Sequence, residues 1–510
     1  MQLLADSRPR PILDLHRRTT RHNLATPAAS GTKASAIRHT DSALPISLQR
    51  SQSGRRRGGF HSMSLEASGS FNKPGATRAA DMSNVPMTRP EEMLAFHDGQ
   101  FPGNAFVGLE GGRVLFSNGT HFSVSADGGV TWSEPYQGLD ENGDPLTLKN
   151  CSMVNLSGGA IGMATKRTRP GTTRLYESQM VFRRSEDEGR TWSPLTLMNH
   201  WMLAAHALND TMIRTQSGRI LLPVYFGIGQ GGFHQEGAPF PGGYVDGVFV
   251  STSAHFYDPH FTASYVIYSD DEGETWQKNS DGELLIIMEY GGRWELTNEP
   301  TLVEYAPGKL LMILRTRLGR MYQAWSEDDG DTWTRPEPTQ LAGTLAPAQI
   351  RQFPNSGHLL VVWTQQSEQE IKRGLIRTRL STAISRNQGR IWEHFQNLES
   401  LHEETHVEPG PLYTVRPEGA YGAPGGGVEC EVDSVKPLPE GYGMWSYPAV
   451  HIAEDRVLIQ YNHFPFDMAG HRRRGHHLKV LPSSWFYGGE DPTSENPTLP
   501  RIEGHVRGEL

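Results

Sequence analysis

From about residue 100 onward, short apolar runs alternate with Gly, Asp and Pro turns, and one arrangement recurs. A polar or special residue leads a short apolar strand, a turn follows, and a second apolar strand closes the hairpin. The copies are GNAFVGLEGGRVLF (103–116), KNCSMVNLSGGAIGMA (149–164), NDTMIRTQSGRILLPV (209–224), NEPTLVEYAPGKLLMI (298–313), APAQIRQFPNSGHLLVV (346–362) and SYPAVHIAEDRVLIQY (446–461). Strand-sized runs bounded by turn residues predict antiparallel sheet, and a hairpin repeated six times predicts a repeat architecture. The shortest separations between successive turns, 47 residues from 112 to 159 and 49 from 308 to 357, fit one four-stranded sheet each. Radial repetition buries the faces of such sheets against one another. The predicted fold is therefore all-β, a six-bladed β-propeller of four-stranded antiparallel sheets. Its inner strands converge at one end of the axis and make a ring of Asn104, Asn150, Asp210, Glu299, Ala348 and Tyr447.

A second repeat overlays the first. Ser125-Ala-Asp127-Gly-Gly129-Val-Thr131-Trp132 returns as Ser185 to Trp192 with Asp187, as Ser269 to Trp276 with Asp271, and as Ser326 to Trp333 with Asp328. A worn copy, Ser385 to Trp392, has Asn387 in place of the acid. The Asp oxygens can take nearby backbone N–H groups, Gly supplies positive φ, and Trp packs back against the sheet. Asp127, Asp187, Asp271 and Asp328, with Trp132, Trp192, Trp276 and Trp333, are thus expected to be structural.

Composition narrows the function classes. Residues 1–60 hold eleven Lys or Arg against three Asp, with no sustained apolar period, although the whole chain carries a net charge of -9. Residues 1–90 read as a disordered basic leader, 91–490 as the propeller and 491–510 as a C-terminal tail. The overall charge gives no pull toward nucleic acid. No apolar run is long enough to span a membrane, and no signal-peptide h-region is present, so a soluble protein without a classical signal peptide is expected. Cys151 and Cys430 are too few for a disulfide framework. No phosphate loop opens a helix after a strand, and no cofactor is predicted.

The Asp boxes and the leading residues together resemble the sialidase superfamily, over about residues 100–487, with LKVLPSSWFY (478–487) resembling that family's end. The resemblance implies a glycan or glycoconjugate partner. It implies that Glu299 heads the inner strand of blade 4 and that Arg315, sixteen residues later, is a carboxylate-binding arginine. It places a second such arginine at Arg377 in R-x-x-L-x-x-A-x-S, with Arg373 as the alternative, and the nucleophilic tyrosine at Tyr447 in WSYPAV. The chain departs from the family in its opening strand, where Asn104 stands in place of the first arginine. The acid is assigned to Asp210, which heads its own strand, ahead of Asp140 or Asp144 near the start of the second blade, where the family's acid lies.

A phenol with a pKa near 10 is protonated at neutral pH, so a carboxylate such as Glu299 must accept its proton as attack proceeds. A neutral nucleophile suits a sugar whose anomeric carbon bears its own carboxylate, and Arg315 and Arg377 present planar forks that match that group. Retaining exo-hydrolysis follows if an acid protonates the departing oxygen. A lyase or hydrolase acting on uronic-acid glycans would use the same arginines, with His206 or His234 assisting, and a propeller that binds glycan without turnover is the third reading. His402-Glu-Glu-Thr-His406 satisfies H-E-x-x-H, but Pro409 leaves barely two helical turns and no third ligand follows, so no metal is predicted. His471-Arg-Arg-Arg474 and His476-His477 read as a solvated bend.

Overall fold

Six four-stranded antiparallel sheets follow one another around an axis in the computed structural model. It describes residues 88–99, 103–168, 178–200, 205–228, 242–245, 248–251, 261–280, 285–288, 294–295, 297–343, 346–372, 377–400, 402, 404–410, 412, 443–465 and 475–489. His234, Arg373, Cys430, the cluster 471–474, the tail from 491 and all but the last three residues of the expected leader lie outside these. Thr88, within the expected leader, is buried and donates to the Leu398 carbonyl at 3.0 Å.

Each expected hairpin supplies the two inner strands of a blade. Blade 1 begins with Ala105–Gly108 and Val114–Ser117, blade 2 with Cys151–Asn155 and Ile161–Thr168, and blade 3 with Ile213–Arg214 and Ile220–Ile228. Blade 4 begins with Asn298–Ala306 and Lys309–Arg315, blade 5 with Gln349–Gln352 and Leu359–Thr364, and blade 6 with Gly443–Ala453 and Arg456–Pro465. Neighbouring inner strands touch in turn all the way round, including blade 6 against blade 1, so the ring is closed. The fourth strand of blade 6 is Ala95–Asp98, which pairs antiparallel with Gly475–Pro482. The blades meet through apolar faces such as Leu311, Ile313, Ile350, Val361 and Trp363 between blades 4 and 5, each at most 1% exposed. Burying one such side chain contributes roughly 1.5–3 kcal/mol.

The Asp boxes join the third and fourth strands of blades 1 to 5, at the end of the ring opposite the heads of the inner strands. In blade 1, Asp127 accepts from Ser125 Oγ at 2.8 Å, Thr131 N at 2.8 Å and Thr131 Oγ at 2.6 Å, and Trp132 Nε1 donates to the Gly129 carbonyl at 3.1 Å. The other intact boxes repeat these bonds, and Asn387 keeps two of them in the worn copy. Their reach exceeds the single hairpin expected from sequence. A Cβ on Gly189 would lie 2.8 Å from Phe122 of blade 1, on Gly273 2.1 Å from Phe182 of blade 2, and on Gly389 2.2 Å from Leu311 of blade 4. The residue before the glycine also reaches back: Glu188 accepts from Arg113 Nη1 at 3.1 Å, and Asp329 accepts from Ser217 Oγ at 2.6 Å. Each box thus docks its blade onto the preceding one. Blade 6 has no box, and the short 3-10 helix Ser483–Tyr487 packs Phe486 and Tyr487 on Phe353 of blade 5 instead.

Candidate functional site

The residues that head the inner strands meet at the box-free end. Glu299 and Tyr447 each sit at a break in strand register, between Asn298 and Thr301 and between Ser446 and Ala449, and each has left-handed backbone, φ 39° and 57°. Pro300 and Pro448 follow them and have no N–H to offer, so the ladder breaks there without orphaning a donor. Such backbone is uncommon for bulky residues and persists only where the surroundings enforce it. The bulges turn both side chains inward. Tyr447 Oη donates to Glu299 Oε1 at 2.8 Å across 148 residues of sequence. Arg315 lies opposite Asn298 in register, which accounts for its spacing from Glu299. Its Nη1 donates to Glu299 Oε2, and to Tyr447 Oη at 3.4 Å. The side chains of this ion pair are 1% and 2% exposed, so its strength comes from good geometry in a low-dielectric setting.

Arg377 also has left-handed backbone, φ 57°, just ahead of the third strand of blade 5, and its carbonyl accepts from Trp445 N at 2.9 Å. That bond carries its guanidinium to 5.3 Å from the centre of the Tyr447 ring and within 3.3 Å of Ser446 Oγ. Burial and the adjacent Glu299 carboxylate push the Tyr447 phenol up to about 12, against the pull of Arg315 and Arg377. The phenol is neutral at physiological pH, with its proton already shared toward an acceptor.

Asp210 is held elsewhere. Its carboxylate accepts from Phe106 N at 3.0 Å in blade 1, and from Met153 N and Ser152 Oγ at 3.1 Å in blade 2. Arg351 Nη2 of blade 5 stands 3.5 Å from Oδ2 and donates to the Asp210 carbonyl at 2.6 Å, as Gln349 Nε2 does. Burial raises its pKa and Arg351 opposes the rise. These contacts tie blades 1, 2, 3 and 5 together and include neither Tyr447 nor Glu299. Asp140 is taken up in a surface turn, accepting from Asn142 N at 2.9 Å and Asp144 N at 3.0 Å.

Beside Tyr447 opens a cavity of about 440 Å³. Asn104, Asn118, Lys149, Asn150, Asn209, Asn462 and His476 line it with Tyr447, and no carboxylate is among its described lining residues. Asn104 stands where the first arginine was expected and ties blades together, giving Nδ2 to the Cys151 carbonyl at 2.8 Å. His206 stacks on Tyr225 with ring centres 5.2 Å apart. Burial raises the Tyr225 pKa well above normal, with the charge of Glu299 next in effect, so His206 lies a layer behind the site. Lys166 of blade 2, unnoticed in sequence, has its ammonium held below the usual lysine value by burial, while Glu299 pulls the other way. Nothing in its strand marks it, since Lys166 stands between Thr165 and Arg167 at the polar end of Ile161–Thr168.

The remaining motifs resolve simply. His402 pairs with Glu370 at 2.9 Å and His406 stacks on Phe395, on a segment that is not helical. No group of three metal-ligating side chains occurs among the described residues. His476 and His477 belong to a strand rather than the expected solvated bend, with His477 3.1 Å from Asp98 of the closing strand. No helix among the described residues is long and apolar enough to cross a membrane.

The profile of the BNR repeat-like domain matches residues 119–459. A sialidase of Bacteroides fragilis is 25% identical over 242 residues, which are 43% of this chain and 38% of that relative, so the chain spans well under half of the protein it matches. Among solved structures, a Dyadobacter fermentans protein of unknown function aligns at 18% identity and a TM-score of 0.43, covering 78% of this chain and 97% of that one. A Trypanosoma rangeli sialidase in complex with 2,3-difluorosialic acid aligns at 12% identity and a TM-score of 0.42, covering 78% and 55%.

Proposed function

Because the chain belongs to the BNR repeat-like domain family, we propose that it is an exo-acting glycoside hydrolase on a terminal anionic, sialic-acid-like sugar. The single observation that supports this most is the hydrogen bond from Tyr447 Oη to Glu299 Oε1 at 2.8 Å, with Arg315 on the other carboxylate oxygen. Tyr447 is the nucleophile. Its oxygen attacks the anomeric carbon as its proton passes to Glu299, and the bond to the aglycone breaks with its electron pair on the departing oxygen. The aglycone oxygen then takes a proton from water. Water afterwards attacks the anomeric carbon of the glycosyl–tyrosine intermediate and its proton passes to the hydroxide left by the first step, while Glu299 returns the phenol's proton to the departing Tyr447 oxygen, so the anomeric configuration is retained. Arg315 and Arg377 hold the sugar's carboxylate beside the reacting carbon. Asp210 keeps the inner strands in place and is a positioning residue in this scheme.

The experiment is turnover of an aryl sialoside and an aryl glucuronide by the whole chain. Tyr447→Phe and Glu299→Gln are each expected to lower kcat by roughly 10²–10⁴ on the sialoside. Undiminished turnover in Tyr447→Phe overturns the nucleophile. Ultraviolet absorbance from a new carbon–carbon double bond on the uronide would favour the lyase reading. No turnover of either sugar would favour a propeller that only binds glycan.

A further inference from the structure

One buried carboxylate near the candidate site takes no part in that chemistry. Glu370 lies on the short helix Glu368–Lys372, which joins the second and third strands of blade 5 at the same end as the heads of the inner strands. It is 6% exposed, and each of its oxygens meets two donors. Oε2 accepts from Ser367 N at 2.7 Å and from Arg379 Nη1 at 3.3 Å. Oε1 accepts from Thr378 Oγ1 at 2.9 Å and stands 2.9 Å from His402 Nε2. Ser367 Oγ in turn accepts from Glu370 N at 3.2 Å, which completes a capping box.

Capping the helix accounts for only one of those four contacts. Two others hold the residues that directly follow Arg377, and Thr378 and Arg379 are 0% and 1% exposed. The fourth brings in His402, from the segment beyond the fourth strand of the same blade. A charge this deeply buried is stable only with several partners. Here burial pushes the carboxyl up, but His402 and Arg379 prevail and hold it at about 2, so it stays charged throughout the neutral range.

Arg377 is where that anchor has a consequence. Its φ of 57° is uncommon for a long side chain and has to be enforced from both sides. Its own carbonyl is tied to Trp445 N of blade 6 at 2.9 Å, and the chain after it is tied to Glu370. Without the second tie the backbone can relax to ordinary extended values. That relaxation would swing the guanidinium away from the Tyr447 ring, whose centre lies 5.3 Å from it.

We propose that Glu370 is a positioning residue for Arg377, and that its grip on Thr378 and Arg379 fixes the left-handed turn that aims the Arg377 guanidinium at the site. The expected effect on turnover rests on the proposed reading of Arg377 as a carboxylate ligand, whereas the effect on geometry does not. The test uses the full chain with Glu370→Gln, Thr378→Val and Thr378→Ser. Phenylglyoxal labelling of the half-buried Arg377, read by mass spectrometry against Arg113 at the box end, reports the geometry. Glu370→Gln and Thr378→Val are expected to raise the Arg377 labelling rate about threefold or more, and Thr378→Ser, which keeps the hydroxyl, to leave it as in the wild type. On an aryl sialoside the first two are expected to raise KM about tenfold and to change kcat less than about threefold, because a ligand for the sugar's carboxylate acts alike in ground and transition state. Thr378→Val carries the test if Glu370→Gln does not fold. A lower Tm with labelling and KM unchanged would show that Glu370 only braces its helix, and overturns the proposal. A fall in kcat with labelling and KM unchanged does the same. Raised labelling with unchanged KM keeps the positioning role and removes Arg377 from carboxylate binding. If the wild type turns over no sialoside, the proposed function fails, and the labelling rates decide the positioning role by themselves.

Discussion

The two ends of the propeller solve different problems with similar backbone. At the box end, a pair of left-handed residues recurs in all five boxes, Gly128–Gly129, Glu188–Gly189, Glu272–Gly273, Asp329–Gly330 and Gln388–Gly389, and each glycine that closes a pair docks one blade on its predecessor. The bonds that shape each turn close within a few residues of sequence, and Glu188 and Asp329 add contacts to Arg113 and Ser217 of the preceding blade. At the other end, left-handed backbone falls on Asn150, Glu299, Arg377 and Tyr447, where side chains must be carried inward. Tyr447 meets Glu299 across blades, the buried charges of Glu299 and Arg315 face one another, and Asn209 has no hydrogen-bond partner among the described residues. The box end is built for closure, and the opposite end holds strain and buried polarity that closure alone does not need.

That contrast can be broken most forcefully at Gly273. An alanine there would bring Cβ within 2.1 Å of Phe182 at φ 91°, and overpacking together with left-handed strain is expected to cost roughly 3 kcal/mol or more. Denaturant midpoints measure the loss, and kcat per folded molecule should be unchanged. A large drop in kcat at constant stability would show that the two ends are not separable.

Acid sharpens the comparison next. Burial lowers the pKa of His451 and of His463 to about 4, helped by Arg351 at the first and His477 at the second. Both imidazoles are neutral in the fold, and the unfolded chain takes up protons first. Their contribution is therefore full above about pH 6.5 and is lost as pH falls toward 4, on the order of 2 kcal/mol each. Glu370 and Glu399 are held at about 2, by His402 and Arg379 in one case and by Lys479, His477 and Tyr461 in the other, and so remain charged in that window. Their contribution is lost only below about pH 4.3. Urea midpoints between pH 7.5 and 4 should fall, and His463→Asn should flatten the slope. A flat wild-type profile would contradict the assignment.

The smallest effect is expected within a box. Asn387 already keeps its bonds to Ser385 Oγ at 3.0 Å and Ile391 N at 2.8 Å, so Asp271→Asn should cost under about 1 kcal/mol. Asp271→Ala, which orphans those donors, should cost roughly 1–2 kcal/mol by thermal melting. Equal costs would mean that the charge, rather than the acceptor geometry, holds the turn.

Legibility in the sequence divides along the same line. The boxes declare themselves because every bond closes within eight residues, as from Ser125 to Trp132, and the spacing repeats. The hairpins are legible for the same reason, and so is the Glu299–Arg315 pair, which one hairpin brings together. The hairpin repeat places Tyr447 at the central ring, but its role, and Arg377 altogether, were reachable only through family resemblance, since nothing local announces an approach from another blade. Asp210 is ambiguous in sequence because a polar residue at a strand head can face the cavity or brace the strands behind it, and its partners Phe106, Met153 and Arg351 are visible only in the fold. Asn209, one residue earlier, carried no signal at all. The proline after Glu299 and after Tyr447 was the clue available, marking where each strand could bulge without losing a hydrogen bond.

The pairing of Ala95–Asp98 with Gly475–Pro482 fixes the order in which a nascent chain can finish. The earliest strand leaves the ribosome hundreds of residues before its partner, and at elongation rates of roughly 5–20 residues per second the wait lasts tens of seconds. Throughout that interval an unclosed arc of blades exposes an apolar flank and a bare strand edge to solvent or to its neighbours on the polysome. Yield on overexpression should therefore respond to translation speed and chaperone supply more than to the stability of the finished ring.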